Sequence, residues 1–238
     1  MEELKQKAAY EAVKAVKDGM VVGLGTGSTA RYAILKLGEM VKDGLEIIGI
    51  ATSLESEKIA KQAGIKIADI NDYDVIDITI DGADEVDSKL NLIKGGGGAL
   101  LREKIVASCS KKEIIVVDES KIVSSFSFPL PVEVVKFGWK RTAEKLAKLN
   151  FKPHIRHGFI TDNGNYILDC EYEKMENVEE MEEKINNLPG VVENGLFIGL
   201  ANEVIIGKKD GIEIMKRNNF KLEKEYPIME RFYFLVFK

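Results

Sequence analysis

Apolar residues recur along the first half of the chain with two alternating periods. Glu2–Lys17 spaces them as a helix, Met20–Leu24 is a β-rich run ending in glycine and threonine, and Ser28–Val41 returns to helical spacing with Ala30, Ile34, Leu37 and Val41 on one face. Glu46–Ala51 then reads as a strand, Ser53–Ala63 as a helix, and Ile65–Ala68, Val75–Ile80 and Leu90–Ile93 as strands. Ala99–Ser108 reads as a helix and Glu113–Val117 as a strand. Strands separated by helical segments predict an α/β fold, a Rossmann-like, mostly parallel sheet with helices on both faces. Ligands of such sheets sit beyond the carboxyl ends of the strands. Thr26–Thr29, Asp81–Asp84, Lys94–Gly98 and Asp118–Lys121 all follow apolar runs, so four candidate segments share one expected edge.

The rhythm changes at Phe128-Pro129-Leu130-Pro131, where two prolines suit a connector. Beyond it come a strand at Val132–Val135 and a helix from Gly138 to Leu149. Asn163-Gly164 between Phe159–Ile160 and Tyr166–Leu168 signals a hairpin. A helix at Val178–Asn187 is stopped by Leu188-Pro189-Gly190, and Leu196–Leu200 reads as a strand. A β-α-β-β-α-β order predicts a smaller ferredoxin-like α+β domain. Glu203–Ile206 and Gly211–Met215 read as a hairpin able to rejoin the first sheet. The expected division is therefore 1–127, rejoined by about 204–216, then 128–203, then a tail over 217–238. The tail is charged and then aromatic, with Phe232, Tyr233, Phe234 and Phe237.

Composition narrows the function classes. A formal charge of −5 and a pI near 5.4 argue against a nucleic-acid surface. No apolar run reaches membrane-spanning length, so no membrane partner is expected. The two cysteines, Cys109 and Cys170, show no paired spacing, and a reducing, cytoplasmic setting fits them.

Chemistry concentrates between Asp81 and Lys104, which reads DGADEVDSKLNLIKGGGGALLREK. It holds Asp81, Asp84 and Glu103, the ammonium of Lys94, and four consecutive glycines from Gly95 to Gly98. Such a glycine run is entropically costly and makes sense where backbone must approach something closely and offer its N–H groups. Acids, a cation and bare amides together describe proton transfer beside a developing negative charge.

The second candidate is the turn Gly23-Leu24-Gly25-Thr26-Gly27-Ser28-Thr29-Ala30, which offers free amides and a helix N-terminus to an anion. A dinucleotide fingerprint would need a third glycine where Ser28 stands and an acid where Ala51-Thr52-Ser53 stands. A Walker loop would need a lysine that this turn lacks. A single phosphate monoester remains a possible ligand, and a simple helix cap by Ser28 or Thr26 remains the plain alternative.

These segments together resemble type A ribose-5-phosphate isomerase. The resemblance rests on Gly23–Ala30, Asp81–Glu85, Lys94–Lys104, Ser120-Lys121, Phe128–Glu133, Gly158–Asp169 and Pro189–Val192, in that order, and spans about residues 1–216. Gly98 and Leu101 stand where the family often has alanine and threonine, and the tail departs from its pattern. The resemblance implies interconversion of ribose 5-phosphate and ribulose 5-phosphate in the pentose phosphate pathway, with no metal or organic cofactor. It makes Glu103 the general base. Lys94 and the amides of Gly95, Gly96 and Gly97 would stabilise an enediolate, and Asp81 and Asp84 would hold sugar hydroxyls and assist catalysis, in ring opening or in proton transfer between O1 and O2. Substrate would also contact Thr26, Gly27, Ser28, Thr29, Gly82 and Ala83, with Lys121 and Lys5 near the phosphate. It further implies a homodimer or homotetramer.

Three rivals stay in view: a related sugar-phosphate isomerase or deaminase, a non-catalytic sugar-phosphate sensor, and an NAD-dependent oxidoreductase. A sensor would not need Asp81, Asp84, Lys94 and Glu103 together. His154 and His157 lack the companions of a metal site and read as strand or loop residues. Cys109 reads as a small core residue and Trp139 as a packing residue.

Overall fold

Short β-branched runs alternate with amphipathic segments, and each run becomes a strand trimmed at its ends. The computed structural model describes residues 1–217. The expected aromatic tail, with Phe232, Tyr233, Phe234 and Phe237, lies outside the described residues. In chain order the first elements are α1 (Glu2–Val13), β1 (Val21–Leu24), α2 (Ser28–Lys42), β2 (Ile48–Ala51), α3 (Leu54–Ala63) and β3 (Lys66–Ile67). Next come β4 (Ile78–Asp81), β5 (Glu85–Val86), β6 (Leu92–Ile93), α4 (Leu100–Ser108) and β7 (Glu113–Asp118). The second half contains β8 (Leu130–Val134), α5 (Trp139–Ala147), β9 (Lys152–Ile155), β10 (Tyr166–Glu171), α6 (Val178–Asn186) and β11 (Val191–Asn194). β12 (Leu196–Phe197), β13 (Glu203–Lys208) and β14 (Gly211–Lys216) complete it.

The main sheet has the order β14-β13-β7-β4-β1-β2-β3. Every pairing in it is parallel except β13 with the edge strand β14. All six residues of β7 are buried, as expected of a strand covered on both faces. Ile114 and Val116 join the core beneath α1 and α2, while Ile115 and Val117 join Leu100 and Ala107 of α4 on the other face. The strand order reverses between β1 and β4, and that switch point is where open α/β sheets bind ligands. Thr26–Thr29 follows β1 and Gly82–Asp84 follows β4, so the switch point brings them together.

The second sheet has the order β11-β8-β10-β9 with every pairing antiparallel, and α5 and α6 complete a ferredoxin-like β-α-β-β-α-β unit. A small sheet, β12-β6-β5, links the two. Lys94, just past β6, donates its N–H to Gly195 O (2.9 Å), and Gly195 donates to Pro131 O (2.8 Å).

Four expectations need correction. The hairpin before Tyr166 is not formed by Phe159–Ile160, because the strand paired with β10 is Lys152–Ile155. Asn163-Gly164 does make the turn, but Thr161, Asn163 and Asn165 fold it over the buried carboxylate of Glu133, so side-chain bonds replace a ladder. Leu130-Pro131 is strand and not connector: Pro131 O faces Gly195 beyond the last β11 pair, so its missing N–H also points past that strand. Val191–Asn194 supplies the last strand of the second sheet, and the expected strand at Leu196–Leu200 shortens to Leu196–Phe197 in the small sheet. Cys109 caps the end of α4 and is exposed, whereas Cys170 is buried.

Candidate active site

The glycine-rich turn becomes a helix end with bare amides. α2 begins after Gly27, whose φ of 102° favours glycine, and no side chain caps it. Neither Ser28 nor Thr26 acts as the cap that a purely structural turn would use. Thr26 turns its hydroxyl inward, 2.8 Å from Thr52 Oγ1, 2.8 Å from Ser53 Oγ and 3.2 Å from Ser56 Oγ. Its N–H donates to Asp81 Oδ1 at 2.9 Å. Ser28 and Gly27 are exposed, and Lys5 Nζ donates to Ser28 Oγ at 3.1 Å.

Asp81 ends β4 with no exposed surface. Oδ1 accepts from Thr26 N and Gly82 N (2.7 Å), and Oδ2 lies 3.1 Å from Lys94 Nζ. Gly25 is required here, because a Cβ at that position would overlap the Asp81 carboxylate. Lys94 is equally buried and also donates to Gly82 O at 2.5 Å. Glu103, in the first turn of α4, places Oε2 3.5 Å from Lys94 Nζ and is 5 % exposed. Asp84 Oδ2 accepts from Gly96 N at 2.7 Å. Two carboxylates crowd one cation in a buried cluster, and the titration follows from that. Burial pushes Glu103 up to about 8 against the pull of Lys94, with Asp81 and Asp84 adding to the rise. Burial opposes the charge on Lys94, but Asp81, Glu103 and Glu113 outweigh it and hold the ammonium above its ordinary value.

These groups surround one cavity of about 160 Å³. Its walls include Glu103, Lys94, Asp84, Gly82, Ala83, Gly95 and Gly97 together with Thr26, Gly27, Ser28, Thr29, Lys121 and Lys5. Such a volume lies well below the roughly 300–1,000 Å³ of pockets for larger ligands, which disfavours a dinucleotide. Two of the expected site residues, Asp81 and Gly96, do not line the cavity. Asp81 has no surface in the cavity, and the N–H of Gly96 is taken by Asp84. Asp81 therefore fits the task of holding Lys94 and the Thr26 turn better than that of touching a sugar hydroxyl.

Sequence reading missed the hydroxyl cluster of Thr52, Ser53 and Ser56, although Ala51-Thr52-Ser53 stood in view where a dinucleotide site would need an acid. It also missed Glu113, which is 1 % exposed with neither carboxylate oxygen hydrogen-bonded. Burial, and then the nearness of Asp81, keeps Glu113 well above the ordinary carboxylate range. Its proton is held in the folded chain and lost near 4.5 in the unfolded one, so its contribution to stability declines as pH rises above that value. Glu113→Met is expected to raise the melting temperature by several degrees, and more at pH 8 than at pH 5. Calorimetry at the two pH values checks this. His154 is an exposed residue of β9, 4.0 Å from Glu171, and Trp139 packs edge-on against Tyr166. Among the described residues no group of three or more His, Cys, Asp or Glu could hold a metal ion, and no helix is long and apolar enough to cross a membrane.

Fold and site define a doubly wound α/β protein with a buried carboxylate–lysine cluster facing a helix end open to an anion. The family model for ribose 5-phosphate isomerase A (phosphoriboisomerase A) matches residues 48–211, and the chain belongs to that family. Ribose-5-phosphate isomerase A of Bacillus mycoides (strain KBAB4) is 49 % identical over 219 residues, 90 % of this chain and 99 % of the relative. The solved ribose 5-phosphate isomerase A of Methanocaldococcus jannaschii superposes with a TM-score of 0.87 at 43 % identity, covering 90 % of this chain and 99 % of that one. A D-ribose-5-phosphate isomerase in complex with phospho-erythronic acid gives a TM-score of 0.88 at 42 % identity, covering 91 % and 99 %.

Proposed function

We propose that this chain interconverts D-ribose 5-phosphate and D-ribulose 5-phosphate. The observation that carries the reading is the cluster Glu103–Lys94–Asp81, buried at the sheet's switch point and opening onto the same cavity as the uncapped end of α2. Family membership supports it, as does the sugar-acid phosphate bound by one relative.

The phosphate sits at the amides of Ser28 and Thr29, with Lys5 and Lys121 supplying charge. The open-chain aldehyde then reaches Glu103. Its carboxylate takes the proton from C2, and the electron pair moves through C1–C2 onto O1 to give a cis-enediolate. Lys94 and the Gly97 N–H meet the negative oxygen. A proton passes between O1 and O2, and Glu103 returns its proton to C1, which leaves the ketose. A carboxyl raised toward 8 is a stronger base than an ordinary one, and it takes a carbon-bound proton more readily. Asp84 keeps Oδ2 on Gly96 and offers Oδ1 to a sugar hydroxyl. Asp81 orients Lys94 from behind.

Ribose 5-phosphate should yield ketose at an undiminished rate in the presence of a chelator. Unphosphorylated ribose should show a kcat/KM at least about 10²–10³-fold lower, because the anchored phosphate contributes several kcal/mol to transition-state binding. A coupled assay on both sugars decides it: comparable kcat/KM values would remove the anion site, and no ketose at all would remove the reaction.

A further inference from the structure

The segment between β9 and β10 reaches the glycine loop through Arg156 and Phe159. Arg156, just past β9, donates from Nη1 to Gly95 O at 3.2 Å and to Gly96 O at 3.1 Å. Asp169 on β10 grips the guanidinium from the other edge, with Nε–Oδ2 at 2.9 Å and Nη2–Oδ1 at 2.5 Å. Arg156 also lies over the Phe159 ring, 5.4 Å from its centroid. Phe159 fills the space that a Cβ on Gly98 would need, so the ring packs directly on the loop's last glycine.

The consequence follows from peptide geometry. A trans peptide points its C=O and the next N–H in opposite directions. Holding Gly95 O therefore aims the Gly96 N–H, which grips Asp84. Holding Gly96 O aims the N–H of Gly97, which lines the cavity. Glycines have no side chains to fix these planes, and the planar fork of arginine can meet two carbonyls and a carboxylate at once. A lysine could not.

We propose that Arg156, clamped by Asp169 and Phe159, is a positioning residue that aims the Gly95–Gly97 peptides, and through Gly96 the Asp84 carboxylate, at the reacting end of the substrate. The inference rests on the reading of that end as the enediolate site. Arg156 does not line the cavity and its side-chain bonds reach only Gly95, Gly96 and Asp169, so phosphate contacts at Ser28, Thr29, Lys5 and Lys121 should not feel its loss.

The test compares wild type with Arg156→Gln, Arg156→Lys, Asp169→Asn and the double variant Arg156→Gln/Asp169→Asn. Measured are kcat and KM for ribose 5-phosphate, the Kd for phospho-erythronic acid, and the melting temperature. Arg156→Gln is expected to lower kcat about 10–100-fold with KM within about 3-fold, since sub-ångström errors in placing catalytic groups act on the chemical step. The Kd for phospho-erythronic acid should weaken less than kcat falls, because its anchor is the phosphate. Arg156→Lys should fall between Gln and wild type. Asp169→Asn should lower kcat in the same sense, and the double variant should be no worse than Arg156→Gln, as two residues acting in series require. An unchanged kcat in Arg156→Gln, additive losses in the double variant, or a fall in kcat matched by the loss of folded protein would each overturn the inference. If Arg156→Gln does not fold, Asp169→Asn carries the same comparison, and an unchanged kcat there overturns it. A wild-type chain inactive on ribose 5-phosphate would instead remove the reading on which it rests.

Discussion

Glu103→Gln is expected to lower kcat by about 10²–10⁴-fold, the usual cost of losing a positioned general base. The amide keeps the size of the side chain and can still meet Lys94, so substrate KM and the affinity for phospho-erythronic acid should change little. Exchange of solvent protons into the substrate, followed by NMR, should vanish with turnover. The pH dependence provides a second signature. In the proposed mechanism Glu103 works as a base only when ionised, and burial raises its pKa to about 8. The kcat/KM of the wild type should therefore climb with pH through the region near 8 and level off above it, and the residual activity of the variant should lack that limb. Glu85 is a poor control, although it does point away from the cavity. It is buried and accepts from Ser127 N, Ser127 Oγ and Phe128 N, so its loss would loosen the segment before β8. Glu144, exposed on α5, is the better one, and Glu144→Gln should leave kcat unchanged. If Glu103→Gln turned over near the wild-type rate while a variant at Asp84 lost proton exchange, the base would be Asp84.

Lys94→Met is expected to cost about 3–5 kcal/mol of folding stability and to abolish measurable turnover. The lysine is the cation at the centre of a dry cluster, paired with Asp81 at 3.1 Å and Glu103 at 3.5 Å. Its removal strands a carboxylate that no water reaches, and the penalty for an unpaired buried charge exceeds what the pair itself contributes. The double variant Asp81→Asn/Lys94→Met removes both charges, so it should regain much of the lost stability. It should remain inactive, because the enediolate oxygen has lost its cation. Urea unfolding of the three proteins beside their kcat values separates the two effects. A Lys94→Met protein as stable as wild type would show that the cluster is not held by this pair.

The first sheet was legible because its signal is local. Runs such as Ile114–Val117 are short, β-branched and bounded by turn residues, and they alternate with helical spacing, so a parallel sheet with its ligands at one edge follows from pattern alone. The residue types of the site were legible for the same reason: four glycines beside Lys94, with acids on either side, have few other uses. The second sheet was less so. Lys152–Ile155 carries a proline and two charged or polar residues on a half-exposed strand, and Phe159–Ile160 looks more like a strand than it does. What moves Phe159 out of a ladder is a contact 61 residues away in sequence, the empty side of Gly98.

The same division runs through the site. The sequence by itself determined the element order, the edge on which the chemistry lies, and which carboxylates and cation stand near one another along the chain. Only the tertiary structure decided which of them face the cavity. Asp81 and Asp84 are three positions apart in one turn, yet one is sealed behind Lys94 and the other opens on the cavity. Burial, and with it the raised pKa of Glu103, comes from packing α4 against β4, β8 and β11, and no local pattern encodes it. Thr26 shows the limit most plainly. Its hydroxyl suited a phosphate in the sequence, and the fold instead spends it on Thr52, Ser53 and Ser56, because hydroxyls brought together at a strand end satisfy one another before they meet any ligand.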